Sequence, residues 1–189
     1  ADPSGATPAH PGAPAPRSET RPAATVADPV GGQSLEIIDD YAHHPTEIRL
    51  TLAAARSRAR GRAVWAVLQP HTYSRFAALL DGFATAFTDA DRVYVTDIYA
   101  ARETDDLGRH PTDLVERLAG PAAVGYVPWP ELVGRLAADV RDALAAADPL
   151  GGPIAAAPAG GVLLLTLGAG TITTVGPRLL AALREGTPG

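Results

Sequence analysis

From Leu35 onward, short apolar runs alternate with stretches whose apolar residues recur every three to four positions, and this alternation restricts the fold more than any other feature. The runs at 35–38, 63–68, 92–96, 123–127 and 162–167 are too short for buried helices. The runs at 63–68 and 162–167 are nearly continuous in Val, Leu and Ala, as expected of strands covered on both faces. Between them, Ile48, Leu52 and Ala55 mark one face of a helix that starts at Pro45 and Thr46. Phe76, Leu79, Leu80, Phe83 and Phe87 mark a second helix, and further helices fit 111–118, 130–147 and 173–184. Strands separated by helices read as crossover units, so the predicted fold is α/β: a doubly wound, mostly parallel sheet with helices on both faces.

Residues 1–33 are dominated by Pro, Ala, Gly, Ser and Thr without apolar periodicity, which predicts a flexible linker or loop insertion ahead of one domain over 34–189. An apolar content of 46% suits a single packed core. The formal charge of -5 with scattered Arg leaves no basic stripe for nucleic acid. The absence of Cys excludes disulfides and thiolate chemistry. No apolar run is long enough to cross a bilayer and the N-terminal residues lack a basic-then-apolar signal, so no membrane partner and a cytoplasmic location are expected.

In such a sheet ligands bind beyond the carboxyl ends of the strands. Four polar strings follow predicted strands directly: Asp39 to Pro45, Gln69 to Arg75, Asp97 to His110, and Gly168-Ala169-Gly170. They are therefore expected to meet on one rim. The first string gathers two carboxylates, a phenol and two imidazoles, a set able to accept from hydroxyls and donate to carboxylate or phosphate oxygens. Holding a divalent cation is the rival use, and capping a turn is a third. Neighbours on an extended segment point apart and no further ligand pair is evident, so no metal site is assigned. Arg75 in the second string suits a carboxylate, which guanidinium grips through two parallel bonds, although an Arg at this position can also simply face water.

Asp39-Asp40-Tyr41-Ala42-His43-His44-Pro45-Thr46-Glu47 resembles the segment that opens the third domain of alanine-adding members of the Mur ligase family, and Gln69-Pro70-His71-Thr72-Tyr73-Ser74-Arg75 is similar to that family's next motif. Asp97 to Glu103 and the Gly168 turn extend the likeness to roughly residues 35–183. The resemblance implies a Rossmann-like C-terminal domain of an ATP-dependent ligase that joins L-alanine to UDP-N-acetylmuramate through an acyl phosphate. It implies ATP contacts at Asp40, with Asp39 and His44 supporting that loop. It also implies that Tyr41, His43, His71 and Arg75 surround the alanine end of the substrate. Thr72 stands where some relatives carry a second Arg, so the carboxylate grip rests more on Arg75; Thr171 stands where the family often has Asp, so any role of that carboxylate is absent. Arg102 and Glu103 are left as contacts to the substrate or the neighbouring domain, or as an exposed charge pair.

No P-loop or Lys-centred phosphate cradle occurs, so ATP and Mg are expected to be bound mainly by a central domain that this chain lacks, and the domain alone is expected to be inactive. The recycling ligase that attaches a whole peptide is the nearest alternative within the family; Tyr41 and the Gln69-Pro70-His71 string argue against it. A module that kept only nucleotide or partner binding is the alternative from another class.

Overall fold

In the computed structural model the described residues are 25–27, 34–104, 107–118, 120–121, 123–146 and 161–185. Their strands are β1 (Thr25–Ala27), β2 (Ser34–Asp40), β3 (Ala63–Leu68), β4 (Arg92–Val95), β5 (Ala123–Tyr126) and β6 (Gly161–Leu167). The helices are α1 (Pro45–Ala59), α2 (Tyr73–Ala84), α3 (Thr112–Val115), α4 (Trp129–Ala146) and α5 (Val175–Glu185), with a 3-10 turn over Thr171–Thr174.

The strands form one sheet in the order β1-β2-β6-β3-β4-β5, parallel except where β1 runs against β2. The expected α/β sheet is present. Its two central strands, β3 and β6, are buried along their whole length, which is why their sequences carry no polar alternation. Successive side chains go to opposite faces. Val64, Ala66, Leu68, Leu163 and Leu165 join Ile48 and Leu52 of α1 and Phe76 and Phe83 of α2 in one core layer. Trp65, Val67, Val162 and Leu164 join Leu132 and Leu136 of α4 and Leu179 of α5 in the other.

Element ends shift where local chemistry outweighs periodicity. Phe87 stays fully buried but lies in the turn after α2, and the last helix is preceded by the 3-10 turn rather than starting at Thr173. Inside the stretch read as a linker, Thr25–Ala27 pairs with Glu36, Leu35 and Ser34 of β2. The rest of 1–33 lies outside the described residues. Glu36 is 5% exposed and anchors the lower end of the sheet: Arg58 and Arg62 both donate to its carboxylate. Burial alone would raise its pKa; the two guanidinium partners outweigh that and hold it below the ordinary value.

β6 enters the sheet between β2 and β3, and the helix that follows it, α5, packs on the face opposite to α1 and α2. The winding direction therefore switches around β6. Such a switch leaves an open crevice above the strand ends, and the loops after β2, β3 and β6 border it.

Candidate functional site at the strand ends

The first wall of the crevice is built by the chain leaving β2. Asp39 is fixed by Thr166 of β6, whose hydroxyl donates to Oδ1 at 2.6 Å. Asp40 turns the chain: Ala42 N–H donates to its Oδ1 at 2.8 Å and the Thr51 hydroxyl donates to Oδ2 at 3.3 Å. This Asx-type turn brings Tyr41 and His43 to the front. His44 is the N-cap of α1, its Nδ1 accepting from Thr46 N–H, and Glu47 reaches back to accept from the N–H groups of both His43 and His44 at 3.1 Å. That reciprocal arrangement is a capping box with histidine as the cap. Burial pushes the Glu47 carboxyl up, but the backbone bonds from His43 and His44 outweigh it and the net shift is downward.

The second wall follows β3. Gln69 is buried, and its amide spans to the turn after β6, donating to Thr171 Oγ1 at 3.1 Å and accepting from Ile172 N–H at 3.0 Å. Thr171 is thus a structural partner of Gln69. The turn needs its glycines: Gly168 has φ +146, and a Cβ on Gly170 would lie 2.6 Å from both Gln69 Oε1 and Tyr99 Cγ.

Beyond Gln69 the chain borrows a further stretch of ladder from the loop after β4. Tyr99 N–H donates to Pro70 O, Thr72 N–H donates to Tyr99 O, and the Tyr99 ring stacks on His71 with centroids 5.6 Å apart. Thr72 then turns the chain into α2 with φ +60 and ψ 145, a conformation costly for a residue with a side chain. It offers α2 no side-chain cap. Glu103 supplies one from the loop after β4, its carboxylate accepting from Ser74 N–H at 2.9 Å and Ser74 Oγ at 2.6 Å. These bonds hold the Glu103 carboxyl below its ordinary pKa. Glu103 is thus engaged with α2 and does not form an exposed pair with Arg102.

The two walls meet through rings. Tyr41 and His43 are edge-to-face at 5.2 Å, His43 and His71 lie 6.0 Å apart, and Arg75 Nη1 donates to His71 Nδ1 at 3.3 Å. Tyr41, His43, His71 and Arg75 thus form one cluster although thirty residues separate its halves. Tyr41 is 67% exposed, and among the described residues half-buried Arg75 has His71 as its one side-chain hydrogen-bond partner, so both can meet a ligand. His71 has a lowered pKa, through burial first and then the charges of Arg75 and His43, which favours neutral imidazole at neutral pH. Asp40 retains carboxylate lone pairs beyond its two bonds, whereas Asp39 and His44 are occupied in holding the loop. Among the described residues no three His, Asp or Glu side chains gather as a metal site.

Tyr99, Gln69 and Glu103 complete the site; the sequence singles out no role for Tyr99 or Gln69 and leaves that of Glu103 open. Their positions directly after strands were the available signal. Their partners were not, because those partners lie 27 to 103 residues away.

Residues 27–164 match the family described as Mur ligase, glutamate ligase domain. The chain is 79% identical over 188 residues to the UDP-N-acetylmuramate--L-alanine ligase of Frankia alni, covering all of this chain and 31% of that protein. It is 39% identical to the corresponding ligase of Mycolicibacterium paratuberculosis over 87% of this chain and 31% of the relative. The chain thus spans about a third of the length of the curated relatives it matches. Among solved structures it is similar to the Thermotoga maritima UDP-N-acetylmuramate-alanine ligase MurC, with a TM-score of 0.54 and 25% identity over 86% of this chain and 29% of that one. A murein peptide ligase from Psychrobacter arcticus shares the fold, with a TM-score of 0.52 at 19% identity over 82% of this chain and 28% of that one. Matched motifs, fold and relatives agree, and the chain belongs to the Mur ligase family, whose glutamate ligase domain it matches.

Proposed function

We propose that this chain is the C-terminal, substrate-positioning domain of an ATP-dependent UDP-N-acetylmuramate:L-alanine ligase of peptidoglycan synthesis. The observation that carries the reading is the convergence of Tyr41, His43, His71 and Arg75 at the mouth of the crevice. The names of the relatives identical at 79% and 39% support it. A planar guanidinium beside a neutral imidazole donor suits the carboxylate of a small amino acid, and the exposed Tyr41 ring can cover its side chain. Asp40, with spare acceptor capacity, is the ribose contact for ATP, while Asp39 and His44 keep its loop in place.

Among the described residues no three His, Asp or Glu side chains gather, and in this reading ATP and Mg are held mainly by the central domain of the ligase. Phosphoryl transfer needs concentrated positive charge, which in this reading comes from the rest of the ligase together with the UDP-N-acetylmuramate site. This domain contributes position. Holding two reactants in line is worth several orders of magnitude in rate, yet produces no turnover by itself. Among the described residues no helix is long and apolar enough to cross a membrane. A ligase that acts on a nucleotide-linked precursor is expected to work in the cytoplasm, and that location is part of the proposal.

The test is the amino-acid dependence of the complete ligase. Arg75→Ala is expected to raise the KM for L-alanine about tenfold or more, as loss of a charged hydrogen bond predicts, with the KM for ATP little changed. An unchanged alanine requirement would sink the assignment.

A further inference from the structure

The two imidazoles of the crevice are held by partners of opposite kind. Arg75 can only donate, so the His71 Nδ1 that faces Arg75 Nη1 at 3.3 Å must accept, and the proton of neutral His71 resides on Nε2. A backbone carbonyl can only accept, so the His43 Nδ1 that lies 3.0 Å from Tyr41 O must donate, leaving Nε2 of neutral His43 with a free lone pair. Neither Nε2 has a protein partner among the described residues. Both rings are half-buried, and neither Nε2 is a fully buried atom without a partner. One crevice therefore presents a donor and an acceptor on rings 6.0 Å apart.

We propose that His43 is the proton acceptor for the ammonium group of the incoming amino acid, while His71 and Arg75 hold its carboxylate. The assignment rests on the alanine-ligase reading above and goes beyond it in giving the two histidines different jobs. An α-amino acid arrives as a zwitterion, and only its neutral amine can attack. One ammonium proton passes to Nε2 of His43 and from there to water. The freed nitrogen pair forms the C–N bond to the carbonyl carbon of the acyl phosphate, the C–O bond to phosphate breaks with its electrons on the phosphate oxygen, and a second nitrogen proton leaves with the phosphate. Charge and atoms balance. The titratable and charged groups around the pair are Tyr41, Glu47, Arg75, Tyr99 and Glu103. Glu47, 3.8 Å from His43 Nδ1, is placed to stabilise the imidazolium that forms, whereas His71 has Arg75 beside it and resists protonation.

The experiment compares His43→Gln, His71→Gln and Arg75→Ala in the full-length ligase, with L-alanine and ATP varied across pH. The expected split is a fall in kcat of about 100-fold or more for His43→Gln, with alanine KM within about threefold and loss of the acid-side decline in rate. His71→Gln and Arg75→Ala should instead raise alanine KM. Nitrogen-15 NMR of histidine-labelled enzyme should place the proton of neutral His43 on Nδ1 and that of His71 on Nε2. Wild-type kcat and acid limb in His43→Gln, or an Nε2-protonated neutral His43, would overturn the proposal while leaving the alanine site intact. If instead neither His71→Gln nor Arg75→Ala alters alanine KM, the alanine-site reading itself fails.

Discussion

The two walls of the crevice are built by different means. The loop after β2 is held mostly by itself: Asp40 turns onto Ala42, and Glu47 caps the helix that starts two residues before it. The loop after β3 is held almost entirely by others. Tyr99 and Glu103 come from the loop after β4, and Thr171 and Ile172 from the turn after β6. The first wall can be ordered as soon as its own helix forms. The second exists only once the sheet has assembled, because each of its supports closes a long loop.

That difference is most exposed at Gly170. A methyl group there would lie 2.6 Å from Gln69 Oε1 and from Tyr99 Cγ, so Gly170→Ala must push apart two supports of the second wall at once. Overpacking of this kind costs about 1–3 kcal/mol, and chemical denaturation of the chain should register it together with a raised alanine KM in the ligase. A loss within experimental error would mean that the second wall yields more readily than its contacts imply. Gln69→Leu keeps the volume and removes the amide, leaving the Ile172 N–H unpaired in a buried turn. The expected loss is about 1–3 kcal/mol, and at the lower end if Ile172 finds another acceptor.

The sequence was legible in proportion to locality. Among the described residues, five of the six strands and all five helices follow from the alternation of apolar runs and helical stretches, because a strand buried on both faces must be apolar throughout and a helix beside it must be apolar on one side. β1 was not legible: three residues in a Pro-rich stretch carry no pattern, and their pairing depends on an edge supplied by β2. In the site, Asp39, Asp40, Tyr41, His43, His44, His71 and Arg75 stood out by type and by position after strands. What sequence could not give is the division of labour among them. Asp39 is spent on Thr166, 127 residues away, and His44 on its own helix cap, while Glu103, which looked like a loose surface charge, supports α2. Thr72 illustrates the same limit, since nothing in its identity announces a φ of +60.

Glu47 and Glu103 make the finest comparison, because each is a carboxylate closing the N-terminus of a helix on the crevice, one from within its own first turn and one from 29 residues away. Both carboxyls sit below the ordinary value of 4.5 in the folded chain, for Glu47 against an opposing burial effect and for Glu103 chiefly through Ser74. A depressed folded pKa means that the folded state holds its proton less tightly than the unfolded one. The stabilisation is therefore fully present above about pH 4.5 and is lost as pH falls through the folded values. Glu47→Gln should remove part of the acid-side slope and lower stability at pH 7 by about 0.5–1 kcal/mol, the usual worth of a cap. Glu103→Gln should flatten the same slope, but its larger effect should appear in alanine KM, because the Ser74 bonds also set the first turn that carries Arg75. Equal effects of the two substitutions on alanine KM would erase the distinction between a wall that supports itself and one that is supported.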